Sequence, residues 1–317
     1  MQTFKRNIVA KKQTLAFLIG LPVLFVLLYF ALLKLNTSNN MLKESFWAHK
    51  VSADSIYDFV AVGDSRVYRG IDPDEIEAQY LKLNGSKIKA LNFGFSSAGL
   101  EPYILEKAKD LLKHGGKRVM LIGVSPNSFI ESSQKNGHLK KIESQDPKDL
   151  WIKKNIYPEL SVFRRYAISD FVKYKHKEFY LENFNLHSGF VGSSKLPYDS
   201  TAAINQYSRQ LKANKIDTFG ARVFLEMLQK LKSEGVRIVA IRIPTTKRMR
   251  NLEDQLTADF CKELFTKIEA QGIECIHVHD SNIHSYDASH LDEKSAKLLS
   301  SKIANLIFSK KVVFSCN

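Results

Sequence analysis

A chain of 317 residues, 44% of them hydrophobic, can bury a substantial core, and no internal repeat or low-complexity tract interrupts it. With 47 Lys and Arg against 33 Asp and Glu the formal charge is +14; this suits an anionic partner such as phospholipid headgroups or an acidic envelope polymer, or serves solubility through dispersed lysines. No nucleic-acid motif is present, and Cys261, Cys275 and Cys316, with no CxxC pair, give neither a zinc signature nor a disulfide framework.

The first element is Leu15–Leu33, a run without a charged residue. At about 1.5 Å per residue such a run spans roughly a 30 Å hydrocarbon core, and Pro22 is tolerable in a membrane helix. Lys5, Arg6, Lys11 and Lys12 precede it, so a single span is expected with the N-terminus in the cytoplasm and the rest of the chain outside. A cleavage site needs small residues; Leu32 to Asn36 supplies none, so an uncleaved signal anchor at the inner or plasma membrane is expected. Residues 1–35 are then a cytoplasmic tip and anchor, 36–53 a polar stalk, and 54–317 a domain on the extracytoplasmic, periplasmic side.

From residue 54 short apolar runs alternate with amphipathic segments. Strands are predicted at Tyr57–Val62, Ile88–Phe93, Arg118–Val124, Arg237–Ile243 and Ile273–Val278. Helices are predicted from Pro73, at Leu100–His114 closed by Gly115-Gly116, at Phe219–Glu234 closed by Gly235, at Asn251–Gln271 ended by Gly272, and at Leu291–Phe308. The alternation predicts an α/β fold with a parallel sheet covered on both faces. In such sheets a ligand sits beyond the carboxyl ends of the strands. Between Asn127 and Ala213 the pattern breaks. This stretch, about 128–213, mixes Trp151, Tyr157, Phe163, Tyr166, Phe171, Tyr174, Phe179, Tyr180, Phe184 and Phe190 with many basic residues. It reads as an insertion with helices of its own: a lid, a docking surface for a membrane or polymer, or a subdomain whose aromatics are core.

The first strand stops at Gly63-Asp64-Ser65, which presents a hydroxyl at the sheet edge. An alcohol becomes a nucleophile when a base removes its proton, and histidine oriented by a carboxylate is the usual base. Asp287-Ala288-Ser289-His290, just before the last helix, supplies both. Against this, Ser65 and His290 could be helix caps and Asp287 a turn residue. Arg66, Arg69 and Arg242 lie near strand ends and could hold an anionic substrate. His277, His279, Asp280 and His284 form a second cluster; His277 and His279 share one strand face, but a third well-spaced metal ligand is missing. No metal and no cofactor are expected.

Gly63-Asp64-Ser65, the run Asn92 to Gly99 and Asp287 to Leu291 resemble the first, second and last blocks of the SGNH (GDSL-type) hydrolase and acyltransferase superfamily. The resemblance covers about 57–124 and 237–308. It implies a flavodoxin-like three-layer α/β/α sandwich with Ser65 as nucleophile, His290 as base and Asp287 as its orienter. The oxyanion donors it implies are the backbone of Ser65 and, where the family has glycine, Ser97, with Gly94 three residues earlier. In the third block the family's Gly-x-Asn-Asp is replaced by Gly123-Val124-Ser125-Pro126-Asn127, so either Ser125 or Asn127 supplies the last donor. Similar membrane-anchored members include polysaccharide O-acetylation and D-alanyl transfer proteins, which often work beside a multi-span membrane O-acyltransferase. The implied activity is acyl transfer to an envelope or secreted polysaccharide. Ester hydrolysis with the same residues and a non-catalytic, membrane-tethered binding role are the alternatives.

Overall fold

The computed structural model describes residues 20–25, 38–116, 118–132, 135–160 and 179–309. The strands among them are β1 (Phe59–Gly63), β2 (Ala90–Gly94), β3 (Val119–Gly123), β4 (Phe179–Phe184), β5 (Val191–Leu196), β6 (Arg237–Ile241) and β7 (Glu274–Ile276). Five form one sheet in the order β2-β1-β3-β6-β7, every neighbouring pair parallel. With the separate antiparallel hairpin β4-β5 set aside, this is the 2-1-3-4-5 order of flavodoxin-like sheets. All five predicted strands are therefore present, each shorter than expected, with β1 and β2 running one residue further to Gly63 and Gly94 and the last reduced to Glu274–Ile276.

Successive side chains of a strand point to opposite faces, and here both faces are apolar. Val60, Val62, Leu91, Phe93, Met120, Ile122, Ile238 and Ala240 enter one core. It is closed by α1 (Ser38–Val51), α4 (Pro102–Asp110), α9 (Thr218–Ser233) and α11 (Phe260–Ala270). Phe59, Ala61, Ala90, Val119, Leu121, Val239, Ile241 and Ile276 enter the other. There α2 (Ser65–Gly70), α3 (Pro73–Asn84) and α12 (Glu293–Phe308) cover the sheet. Burial on both faces explains why these strands read as continuous apolar runs.

Three expectations change. Residues 38–51 are not a stalk: α1 buries Phe46 and Trp47 in the first core, with Ala48 buried beside them. Its Lys50 is buried too, donating to the Gly189 carbonyl at 2.8 Å among the rings of Phe46, Trp47, Tyr68 and Phe95. These residues are consecutive rather than spaced at a helical period, so no amphipathic pattern announced them. The helix predicted to reach His114 ends at Asp110, because the next residues leave it to pair with Tyr57: Tyr57 N donates to Leu111 O and Lys113 N to Tyr57 O. Finally, Asn251–Gln271 is two helices, α10 (Lys247–Leu256) and α11, separated by Ala258 and Asp259 in the left-handed region. Neither is glycine, so nothing in the sequence marked the break.

The insertion contributes α5 (Gly137–Glu143), α6 (Pro147–Asn155), α7 (Tyr157–Leu160), the β4-β5 hairpin and α8 (Thr201–Ala213). Phe190 and Val191 of the hairpin join the two cores. Phe163, Tyr166, Phe171 and Tyr174 lie outside the described residues. So does most of Leu15–Leu33; its residues 20–25 are helical and exposed. No helix among the described residues is long and apolar enough to cross a membrane.

Candidate active site

The carboxyl ends of β1, β2 and β3 form a platform without side chains. Each strand ends in glycine, and Gly63 lies in register with both Gly94 and Gly123. Val67 of α2 packs directly onto it: a Cβ on Gly63 would come 2.5 Å from Val67 Cγ2, one on Gly94 3.0 Å from Val67 Cβ, and one on Gly123 2.1 Å from Val67 Cγ2. Only glycine lets the short helix after β1 lie this close across the strand ends. Asn92, fully buried, fastens that helix from β2 by donating to the carbonyls of Val67 and Ile71 at 2.7 and 2.6 Å.

At the start of this helix Asp64 is the cap: its carboxylate accepts from Arg66 N at 2.9 Å and from the Ser125 hydroxyl at 2.6 Å. Ser65 is therefore the first helical residue and keeps its hydroxyl free for His290, whose Nε2 lies 2.8 Å from Oγ. His290 Nδ1 lies 2.7 Å from Asp287 Oδ2. A carboxylate can only accept, so Nδ1 carries the proton and Nε2 is left to accept from Ser65. Asp287 Oδ1 also accepts from the backbone N–H groups of Ser289 and His290 at 2.9 and 2.7 Å. Burial alone would raise the Asp287 pKa, but the hydrogen bond and charge of His290 and these two amides outweigh it and hold it at about 2. The loop is shaped by Ala288 at φ +79°, and the Tyr286 ring stacks against the imidazole at a centroid distance of 6.1 Å. Ser65, His290 and Asp287 thus meet although 225 residues separate the first two.

The expected oxyanion donors divide. Gly94 N–H is taken by Asn92 Oδ1 at 2.9 Å, and the Ser125 hydroxyl by Asp64; neither is available. The backbone N–H groups of Ser65 and Ser97 have no acceptor among the described residues. Ser97 lies on an exposed turn at φ +55°, the conformation in which glycine is the usual residue. Asn127 stands in the 3₁₀ turn Pro126–Phe129 after β3, half-buried, and its side chain makes no hydrogen bond among the described residues, its Oδ1 being buried without a partner there. Since β2 and β3 flank β1, the Ser97 turn and Asn127 lie on either side of the Ser65 turn.

The three arginines are structural. Arg66, 2% exposed, ion-pairs with Glu253 of α10 and donates through Nε to Ser289 Oγ at 3.0 Å, its guanidinium over the Tyr207 ring. Ser289 in turn donates to the Tyr207 hydroxyl at 3.0 Å. Arg242 shares Glu253 at 3.0 Å and pairs with Asp254 at 2.6 Å. Burial opposes the charge on Glu253, but Arg66 first and Arg242 second outweigh it and keep the carboxylate ionised. Arg69 is consumed by Tyr68, Tyr180, Ser193, Tyr286 and Glu182, tying α2 to the hairpin and to the loop before His290. All three guanidinium groups are thus committed to carboxylates of the fold, with side chains 2%, 12% and 9% exposed. They are instead a frame behind the site, in which Arg66, next to the serine, grips the loop that carries the histidine. An arginine directly after the serine was visible in the sequence; its direction was not.

The second histidine cluster does not assemble. His277 is exposed and 3.6 Å from Glu269, Asp280 pairs with Lys302, and no group of three metal-ligating side chains occurs among the described residues. Cys261 is buried with a free thiol, which burial pushes up to about 12; Cys316 lies outside the described residues.

No family model matches the chain, and no curated protein matches it. Among solved structures it is similar to a lipase/acylhydrolase from Enterococcus faecalis, at 11% identity and a TM-score of 0.38 over 79% of this chain and 95% of that one. It is likewise similar to a putative platelet activating factor from Streptococcus pneumonia, at 11% identity and a TM-score of 0.34 over 90% of this chain and 98% of that one. Likenesses of this extent say nothing about what the chain does.

Proposed function

We propose that the protein is a serine-dependent acyl-ester enzyme with Ser65 as nucleophile, His290 as general base and acid, and Asp287 as the group that orients the imidazole. The observation that carries this is the continuous set of hydrogen bonds from Ser65 Oγ through His290 to Asp287 at 2.8 and 2.7 Å, within the reach that proton transfer needs. As Oγ attacks the acyl carbonyl its proton passes to Nε2. The tetrahedral oxyanion is met by the N–H groups of Ser65 and Ser97 and by the Asn127 amide. Collapse expels the alcohol with the proton from Nε2 and leaves acyl-Ser65. A second hydroxyl, deprotonated by His290, then takes the acyl group and restores the serine. In the finer reading this acceptor is a hydroxyl of an envelope or secreted polysaccharide. The chain is then held by its N-terminal run with the domain outside the membrane, and a multi-span acyltransferase is its partner. The basic residues ahead of an uncharged run and the resemblance to anchored acyl-transfer proteins support it. Hydrolysis is the second reading, favoured by the side-chain exposure of His290 and Asp287, 17% and 18%, which admits water.

A fluorophosphonate probe tests the nucleophile. The wild type is expected to be labelled and Ser65→Ala, folded by circular dichroism, to be silent; an unlabelled wild type refutes catalysis and leaves a binding role. Partition of a labelled acyl group between water and an added glycan separates hydrolase from transferase. A C-terminal reporter active only in the cytoplasm refutes the orientation.

A further inference from the structure

Helix α6 is inside out. A helix on the surface of a domain ordinarily turns apolar side chains to the core and charges to water. Here Lys153 and Lys154 point inward. Lys153 meets Glu44 at 3.2 Å and the Gln145 side chain at 2.9 Å, and Lys154 meets the Ser52 carbonyl at 3.0 Å and Asp54 at 3.8 Å. Both lysines thereby fasten α6 to α1 and the turn that follows it. Leu150 alone packs on the core. The outward face carries Trp151, Ile152 and, at the cap, Ile156, exposed to 59%, 37% and 39%, with Lys148 and Asn155 beside the indole and exposed Asp149 beside the isoleucines. Residues 148, 151, 152, 155 and 156 are spaced as one stripe of a helix. Leaving indole and two isoleucines in water is unfavourable, whereas tryptophan flanked by lysine and amide groups suits the boundary between headgroups and acyl chains.

We propose that this face of α6 rests in the interface of the lipid bilayer that holds the N-terminal run, a proposal that depends on the anchoring reading above. The chain length supports this occupant. Five steps from Leu33 to Ser38 reach at most about 18 Å, and Glu44, the partner of Lys153, lies six residues further along α1, about 9 Å of helix. Helix α6 is therefore tethered within about 30 Å of the point where the run leaves hydrocarbon, and much closer if those linking residues are not extended. The bilayer surface is the apolar boundary that the anchor itself brings within reach. With α6 seated there, α1 lies between the membrane and the sheet, and the domain is held in one orientation instead of turning about its anchor.

The chain has two tryptophans, Trp47 and Trp151, which makes the face directly readable. Full-length protein is reconstituted into phosphatidylglycerol–phosphatidylcholine vesicles with acyl chains brominated near the headgroup, and co-flotation is measured on the same sample. Emission of Trp151 is obtained from Trp47→Phe and, without touching the core, as the difference between wild type and Trp151→Phe. Brominated lipid is expected to quench Trp151 by about half or more, as befits an indole at the acyl boundary, while Trp47 is unaffected and aqueous iodide reaches neither. A protein that floats but whose Trp151 is open to iodide overturns the proposal and leaves the anchor standing. So does a Trp151 shielded from iodide yet unquenched by bromine, which would mean cover by residues 161–178 or a second copy. A protein that does not float overturns both.

Discussion

Replacing Asp287 by asparagine keeps the shape of the side chain and tests the whole hydrogen-bonded set. Oδ1 accepts from two backbone amides, 2.9 and 2.7 Å away, and an amide oxygen can keep both. Its nitrogen must then face His290 Nδ1, where Oδ2 now lies at 2.7 Å. Two donors cannot share that contact, so the imidazole proton moves to Nε2, which then points a hydrogen at Ser65 instead of a lone pair. The expected loss is about 10⁴-fold in acylation rate, the magnitude found when a triad carboxylate is made an amide. Stability changes as well. A carboxylate held at about 2 instead of 3.8 contributes roughly 2 kcal/mol at neutral pH, at 1.36 kcal/mol per pKa unit. Because the folded pKa is the lower one, this contribution is complete above about pH 4 and is lost as the pH falls through about 2. Asp287→Asn should therefore be less stable than wild type by about that amount at pH 7, with the gap closing in acid. Fluorophosphonate labelling rates and denaturant midpoints at pH 7 and pH 3 measure both. A rate loss under about tenfold, or a stability gap that does not shrink in acid, would refute the assigned hydrogen bonding.

Two further substitutions separate framework from chemistry. Asn127→Ala should lower the acylation rate about 10²- to 10³-fold with little change in melting temperature, since its amide holds no other group among the described residues. Ser125→Ala should do the reverse, removing a partner of buried Asp64 and costing about 1–3 kcal/mol in denaturant midpoint. An inactive, destabilised Asn127→Ala would show the asparagine to be structural. Glu253→Gln strips the shared counter-ion from Arg66 and Arg242, both 9% exposed or less. The expected destabilisation in chemical denaturation is about 3–5 kcal/mol, because the Arg66 guanidinium stays buried without its ion-pair partner, whereas Arg242 keeps Asp254. A loss below about 1 kcal/mol, the worth of a surface pair, would contradict the frame.

What the sequence determined by itself is local. Five apolar runs bounded by glycine and polar caps specify five strands, because a strand buried on both faces must be apolar throughout. Their alternation with helical segments specifies a parallel sheet. Gly63-Asp64-Ser65 at one strand end and Asp287 with His290 before the last helix could be paired in advance, since the carboxyl ends of parallel strands share one edge. Tertiary structure decided everything that depends on where a long side chain turns. Arg66, Arg69 and Arg242 look in sequence like arginines beside a site, and only packing shows their guanidinium groups aimed backwards into Glu253, Glu182 and Asp254. The choice between Ser125 and Asn127 was equally closed to sequence: it turns on Asp64, 61 residues away from Ser125, which consumes one and leaves the other. The glycines ending β1, β2 and β3 are ordinary turn formers one at a time. Sheet register sets them side by side beneath Val67, and the serine is presented at the edge because the strand ends carry no side chain to hold that helix away.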